Sequence, residues 1–584
     1  MRILYTIDTA SRKENIIDVE ISAEDVHEKF MDVILPVWVP GSYVIRDYVR
    51  NVRSFTVTDQ DNEHVRFYKT DKSRWRIVSD GLSAIRAKYR ICNSDVIPQA
   101  SSADDSHVYV LGASSLAYID GYADQSVEVR IKSYDGDMVH TNLETLPDGN
   151  YSAPNYDVLA DSIFEIGKPG FRSFTHLERK HELVFCGFPE KYIVPVTDTA
   201  MKVVKYVAGL FSFLPYKRYV FFFHMTGGKG GGGHEHANCS SITIGCETIK
   251  EGGPEELSSI IAHEFFHVYN VKRIRPVEFE NFNYRSENYT TLLWFSEGFT
   301  SFYTNLILYR SSVVDREKFL HLLAEQIRSY MILPGKDAIS SSQSSFDAWI
   351  RLYKPSADDF NSYISYYLKG SMLALVLDIM IILNTNGEST IDDLMIFMWE
   401  KYRKDGKGFS MKDIMQFFRE LFSIDLTNFA ESYIDGAATL PVMEYMNRIG
   451  YELTKQYSEK GAAATTGLLV RFTSGNLTVV TPVRGYPSYG SGISPGDRLV
   501  SFNGNEYGQN NMRPVMGRGN SMIHMDSYSG VKPGDVVNIT VERRGLLKKY
   551  SITATDPPCD IYDIRARGDQ TSMRLTSILE RGNL

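Results

Sequence analysis

Cysteine is scarce in this chain. The five residues Cys92, Cys186, Cys239, Cys246 and Cys559, out of 584, are odd in number and scattered. That spacing excludes a disulfide framework and any C-x-x-C metal knuckle, and it fits a reducing compartment. Positive charge is not in excess either: 63 Lys and Arg stand against 72 Asp and Glu, a formal charge of −9, which argues against nucleic acid as a main partner. Long apolar runs are missing. The longest, residues 372–383, contains Asp378 and is too short to span a bilayer. Met1 leads directly into RILYTIDTASRKENIIDVEIS, which alternates like a strand and lacks the apolar centre of a signal peptide. These absences predict a cytoplasmic protein with no membrane segment. Histidine is rare too, 13 in all, so a local cluster of histidines carries information.

What is present is ordinary globular material, 43% hydrophobic and 23% charged. The length calls for three or four domains rather than one core. Residues 1–156 read as an all-β domain, with short alternating segments between Gly, Asp, Asn and Ser turns. Within it, Pro36-Val37-Trp38-Val39-Pro40-Gly41-Ser42-Tyr43 implies a fixed turn and reads as structural. Residues 157–250 change character: buried strands at 183–185 and 219–224 flank a helical pattern at 199–211. A glycine-rich segment follows, 227–233, ending in His234-Glu235-His236. It reads as a flexible loop where backbone approaches a ligand. No G-K-S/T follows, so it is not a phosphate-binding loop. Residues 251–455 are mainly helical, with patterns at 315–333, 366–383, 391–402, 411–421 and 428–433. Residues 461–560 return to β and turn, and 561–584 read as a polar tail with no assigned structure. The fold class is therefore multidomain α+β.

One stretch organises the rest. His263-Glu264-Phe265-Phe266-His267 is an H-E-x-x-H motif in a segment opening at Pro254, with Glu255 and Glu256 in its first turn and Lys272 and Arg273 near its far end, the expected helix signals. Leu257, Ile260, Ile261 and Val268 recur at helical spacing, so the helix is buried. His263 and His267 then project from one face and can share a metal ion. Glu264, about 100° around the helix from His263, is better placed to hold a water than to ligate. A third protein ligand is required, leaving one position open. Glu297, in the apolar helical segment W-F-S-E-G-F-T thirty positions after His267, is the candidate, and the set suits one zinc ion. Glu235 offers a carboxylate for a substrate amine, while His234 and His236 form an H-x-H pair that offers an alternative second metal. Tyr363, Tyr366 and Tyr367 stand at or before a helix start, where a hydroxyl can serve an oxyanion or simply pack.

H-E-x-x-H followed by W-x-x-E-G resembles the gluzincin metallopeptidases. More narrowly, the chain resembles the glycyl aminopeptidase family through W-V-P-G-S-Y-V-I-R-D, G-G-H-E-H, H-E-F-F-H, W-F-S-E-G-F-T and Y-Y-L-K-G, with PDZ-like matches in G-L-L-V, S-P-G-D-R-L-V-S-F-N-G and G-D-V-V-N-I-T-V. The resemblance implies an N-terminal β-rich domain, a thermolysin-like catalytic domain (its sheet in 157–250, its helices in 251–455) and a C-terminal PDZ-like domain. It implies zinc on His263, His267 and Glu297, Glu264 as general base, and Tyr367 as oxyanion donor with Tyr366 beside it. Glu235 then grips the substrate's free α-amine, with Gly232, Gly233 and His236 lining the same substrate site. Substrates are peptides with small first residues, glycine or alanine, and a peptide ligand at the PDZ-like domain is a further expectation. A zinc endopeptidase whose PDZ-like domain captures substrate, and a peptide-binding scaffold with a vestigial metal site, are the alternatives.

Overall fold

A computed structural model describes residues 1–403, 406–457, 463–473, 475–508, 511–516, 523–559 and 561–581. The expected domain limits at 461 and 560 and the chain end at 584 lie outside the described residues. Two compact units result, Met1–Arg273 with Glu278–Asn288, and Ile274–Val277 with Tyr289–Leu584.

The first unit begins all-β, as its alternation predicts. A seven-stranded sheet centres on Arg2–Asp8 and Ile16–Glu24, joined by two four-stranded sheets. Ile3, Tyr5 and Ile7 face the core, as do Ile17, Val19 and Ile21, while the residues between them are more exposed; this is the period-2 pattern of a half-buried strand. Buried tyrosines supply hydrogen bonds where they supply bulk: the Tyr5, Tyr89 and Tyr156 hydroxyls donate to the carbonyls of Ala117, Ser115 and Leu116 at 2.8, 2.8 and 2.6 Å. The β layer runs past the expected limit at 156, because Ile163–Gly167 pairs antiparallel with His107–Leu111.

A five-stranded mixed sheet follows, in the order Gly170–His176, Arg179–Cys186, Arg218–Thr226, Cys239–Gly245, Gly231–Glu235. Arg218–Thr226 is parallel to both neighbours, and its run Tyr219-Val220-Phe221-Phe222-Phe223 is wholly buried. Such continuity is what a central strand covered on both faces needs. The helix Glu190–Phe211 is longer than its predicted core at 199–211. The glycine-rich segment departs from expectation: Gly231–Glu235 is not a loop but an antiparallel edge strand, in register with Cys239–Gly245 from Gly231↔Ile244 to Glu235↔Ser240. Glycine has little β propensity of its own. The ladder imposes the strand.

The second unit is helical and then β. Helices Leu293–Arg310 and Tyr366–Asn384 cross with glycine on glycine: a Cβ at Gly298 would overlap the Gly370 backbone, and one at Gly370 would overlap the carbonyl of Trp294. The terminal glycines of W-F-S-E-G and Y-Y-L-K-G are therefore one packing contact. An antiparallel sheet follows, built on Leu468–Thr473, Asn476–Pro482, Arg498–Phe502, Val536–Arg543 and Leu546–Thr553. A cavity of ≈ 980 Å³ opens between its Leu469, Val479 and Ile523 and, from the helical part, Leu333, Phe360 and Leu368.

The predicted polar tail is a correction. Ile561–Ala566 pairs antiparallel with Tyr451–Gln456, and Gln570–Arg581 is a helix. Ser572, Thr576, Leu579 and Glu580 are its buried face. Buried Glu580 meets the guanidinium of Arg316 and accepts the Tyr451 hydroxyl at 2.5 Å. A polar-looking segment is held by ion pairing rather than by an apolar stripe.

Within the described residues one segment, Asp359–Asn384, is long and apolar enough to cross a membrane by length and composition, and most of its apolar window is buried inside the protein. Asp378, the charge that interrupts this run, accepts the Ile391 N–H at 2.8 Å. Burial, reinforced by the nearby charge of Asp392, pushes its pKa up to about 7. Because the folded value lies above the unfolded one, stability is full at low pH and falls as pH rises towards 7. Asp378→Asn is therefore expected to raise the apparent melting temperature at pH 8 and to lose that advantage near pH 4. Thermal unfolding of both proteins across this range checks it; an offset independent of pH would contradict it.

Candidate active site

The H-E-x-x-H segment begins as a 3-10 turn, Pro254–Leu257, and continues as the helix Ser258–Phe266. The predicted helix reaches further, towards Arg273, and the shorter one has a visible cause. Val268 and Tyr269 bond back to Phe265 and Phe266 in a tightened last turn. Lys272 and Arg273 leave the helix to act as anchors: Lys272 pairs with Asp161 at 2.9 Å, and Arg273 donates to the carbonyls of Ala237 and Val268, each at 2.8 Å. The turn that matters survives, since the N–H of His267 still reaches the carbonyl of His263. The two imidazole centroids lie 4.7 Å apart.

His267 Nδ1 lies 2.7 Å from the carbonyl of Asn270. A carbonyl only accepts, so Nδ1 carries the proton and Nε2 keeps its lone pair for a metal. Glu264 is buried beside it, and donor atoms of Glu235, Glu264 and His267 lie within 4.8 Å of one another.

The edge strand explains this convergence. Alternate residues Gly231, Gly233 and Glu235 share one face. A Cβ at Gly231 would touch Ile260 at 3.4 Å, and one at Gly233 would overlap the Glu264 carboxylate. Two glycines thus let the motif helix come close and leave Glu235 as that face's functional side chain. Gly233→Ala is accordingly expected to displace Glu264 and to lower peptidase kcat at least 10-fold while the fold persists; unchanged kcat would contradict this packing.

The strand is fastened from the β-rich domain of the same unit. Gln99 Nε2 donates to the carbonyl of Gly233 at 3.0 Å. His234 donates through Nε2 to the carbonyl of Pro40 at 2.8 Å, and burial, with His236 nearby, keeps its pKa well below the usual range and the ring neutral. His236 holds Asp161 at 2.9 Å through Nδ1, and Asp161 also accepts the Ala237 N–H. Burial alone would raise the Asp161 pKa; Lys272 and His236 overcome it and hold the carboxylate ionised. The H-x-H pair is therefore engaged in positioning the strand. Sequence reasoning missed Gly41. Its φ is +97°, and a Cβ there would overlap the Glu235 carboxylate. The phrase W-V-P-G-S-Y, taken as a structural turn, carries the backbone against which Glu235 rests.

In the second unit Glu297 is buried on Leu293–Arg310. Tyr366 is buried and Tyr367 half-buried at the start of Tyr366–Asn384, their rings stacked 4.8 Å apart. The Gly298–Gly370 contact fixes both motifs against each other. Lys369 is fully buried, donating to the carbonyls of Lys336 and Ile339 at 3.1 and 2.9 Å, and burial lowers its pKa to about 8. Tyr363 is buried too, with Arg351 over its ring.

Two imidazoles one helical turn apart, one with its Nδ1 held by a carbonyl, stand beside a buried carboxylate, a donor set that suits zinc. The family follows from comparison. Residues 4–168 match the model of the peptidase M61 N-terminal domain, and residues 256–373 that of the M61 glycyl aminopeptidase. The chain belongs to this aminopeptidase family and is a hydrolase acting on peptides.

Its fold is that of an aminopeptidase N family protein from Idiomarina loihiensis, with a TM-score of 0.88 at 23% identity, covering 98% of this chain and 100% of that one. An M1 zinc metallopeptidase from Deinococcus radiodurans aligns with a TM-score of 0.46 at 12% identity over 76% of this chain and 95% of its own. Yeast LTA4 hydrolase aligns with a TM-score of 0.46 at 11% identity over 76% and 68%. No curated protein matches the chain.

Proposed function

We propose that the protein is a zinc aminopeptidase that removes small first residues, glycine or alanine, from peptides. The observation that carries this reading is the meeting of Glu235, Glu264 and His267 at the edge strand: one carboxylate for a substrate amine beside one for a water. His263 and His267 would hold the ion together with Glu297, the latter from its W-x-x-E-G motif. Bound zinc supplies a water of near-neutral pKa and polarises the scissile carbonyl.

The protein's own groups do the rest. Glu264 takes the proton of the attacking water and returns it to the leaving amine. Glu235 accepts the substrate's α-ammonium, which fixes the cut one residue from the end. Gly232 and Gly233 line the path of an extended peptide along the edge strand. Tyr367, the more exposed of the stacked pair, donates to the oxyanion, with Tyr366 as its neighbour. His236 supports the site through Asp161 rather than by touching substrate.

A substrate panel tests the reading: glycyl-, alanyl- and leucyl-naphthylamide beside an N-acetylated peptide, before and after chelation and with zinc restored. Chelator-sensitive hydrolysis of the glycyl and alanyl compounds is expected. Cleavage of the N-acetylated peptide alone would favour the endopeptidase reading. That second reading has one observation behind it, the cavity between the PDZ-like sheet and the helices of its unit, which suits an apolar peptide segment.

A further inference from the structure

A second group of donors lies in the first unit, outside the residues used above. His107, Glu165, Cys186 and His224 each bring one donor atom within 4.8 Å of the others. Glu165 is the hub: His107 Nδ1 lies 2.7 Å from one of its oxygens and His224 Nε2 2.9 Å from the other. Glu165 is completely buried, His224 and Cys186 nearly so, and His107 half-buried at the rim. All four stand on β-strands. His107 and Glu165 are on the neighbouring strands His107–Leu111 and Ile163–Gly167 of one sheet. Cys186 and His224 face each other across the parallel pair Arg179–Cys186 and Arg218–Thr226 of another. The His107 and His224 rings stack with centroids 5.7 Å apart and an interplanar angle of 23°, and Tyr109 packs edge-on against His224.

We propose that these four residues form a closed metal site for a zinc-class divalent cation, tying the β-rich layer to the five-stranded sheet. Two imidazoles, a carboxylate and a thiolate fill four positions with protein ligands, and a closed set of this kind is structural rather than catalytic. The thiolate and imidazoles select a borderline or soft cation over magnesium or calcium. On binding, the Cys186 thiol gives its proton to solvent, His107 and His224 ligate as neutral rings, and Glu165 exchanges hydrogen bonds for a metal–oxygen bond. Half-buried His107 is the way in. Sequence spacing hides the set, because its members are separated by up to 117 positions and converge only through two sheets.

Cobalt substitution of the full chain tests this independently of any peptidase activity. The proposed catalytic ligands include no cysteine, so a thiolate-to-cobalt charge-transfer band in the near ultraviolet reports this site alone. Metal-stripped protein titrated with cobalt is expected to take up two equivalents and to show that band. Cys186→Ser should remove the band and one equivalent, with His107→Gln weakening uptake from the rim as a second variant. A protein carrying both His263→Gln and His267→Gln should keep the band while losing the other equivalent. Absence of the band from the wild-type protein, or its persistence in folded Cys186→Ser protein, would overturn the proposal and leave a hydrogen-bonded cluster.

Discussion

Glu264→Gln is expected to leave metal content unchanged and to reduce kcat by about 10³-fold, within the range general acid–base catalysis supplies. The substitution is close to isosteric, so the packing against Gly233 that fixes this side chain is retained. What disappears is the ability to accept a proton from water and hand it to the departing amine. Glutamine can still hold a water by hydrogen bonding, so KM should change far less than kcat. Turnover and metal analysis on the same preparation decide the matter. Turnover near the wild-type rate would remove Glu264 as the base.

The second large effect concerns the amine. Glu235→Ala is expected to lower kcat/KM on free-amine substrates by about 10²-fold or more, the scale for removing one partner of a buried charge pair, and to leave cleavage of an N-acetylated peptide nearly untouched. The distinction rests on how Glu235 is held. It closes the edge strand whose glycines face the motif helix, and its carboxylate rests on the backbone of Gly41, where a side chain has no room. Gly41→Ala should therefore shift the same selectivity in the same direction without removing the carboxylate. Equal losses on blocked and unblocked substrates would place the amine anchor elsewhere.

Much of this arrangement was legible in the residues. H-E-x-x-H, its buried helix and the tyrosines at the start of Tyr366–Asn384 follow from local spacing, which a helix converts directly into geometry. The run Tyr219-Val220-Phe221-Phe222-Phe223-His224 likewise reads as a buried strand from its residues alone. Where reading failed, the structure is set by partners distant in sequence. Gly231–Glu235 carries no strand propensity and is made a strand by its ladder with Cys239–Gly245. The helix Gln570–Arg581 looks like a tail because its buried face includes Ser572, Thr576 and Glu580: Thr576 bonds back to Met573 within the helix, and Glu580 is met by Arg316 from elsewhere in its unit. Gly41 reads as a turn residue until Glu235 is seen beside it. Cys186 reads as a lone cysteine until two sheets bring His107, Glu165 and His224 to it.

His263, His267 and Glu297 are proposed to hold one zinc ion at which Glu264 works. Zinc content and glycyl-naphthylamide hydrolysis, measured together on Glu297→Ala protein, test it most directly. The expected result is the loss of one zinc equivalent and of activity, with the far-ultraviolet circular dichroism spectrum and the thiolate-to-cobalt band retained. Full zinc occupancy with wild-type turnover would contradict it.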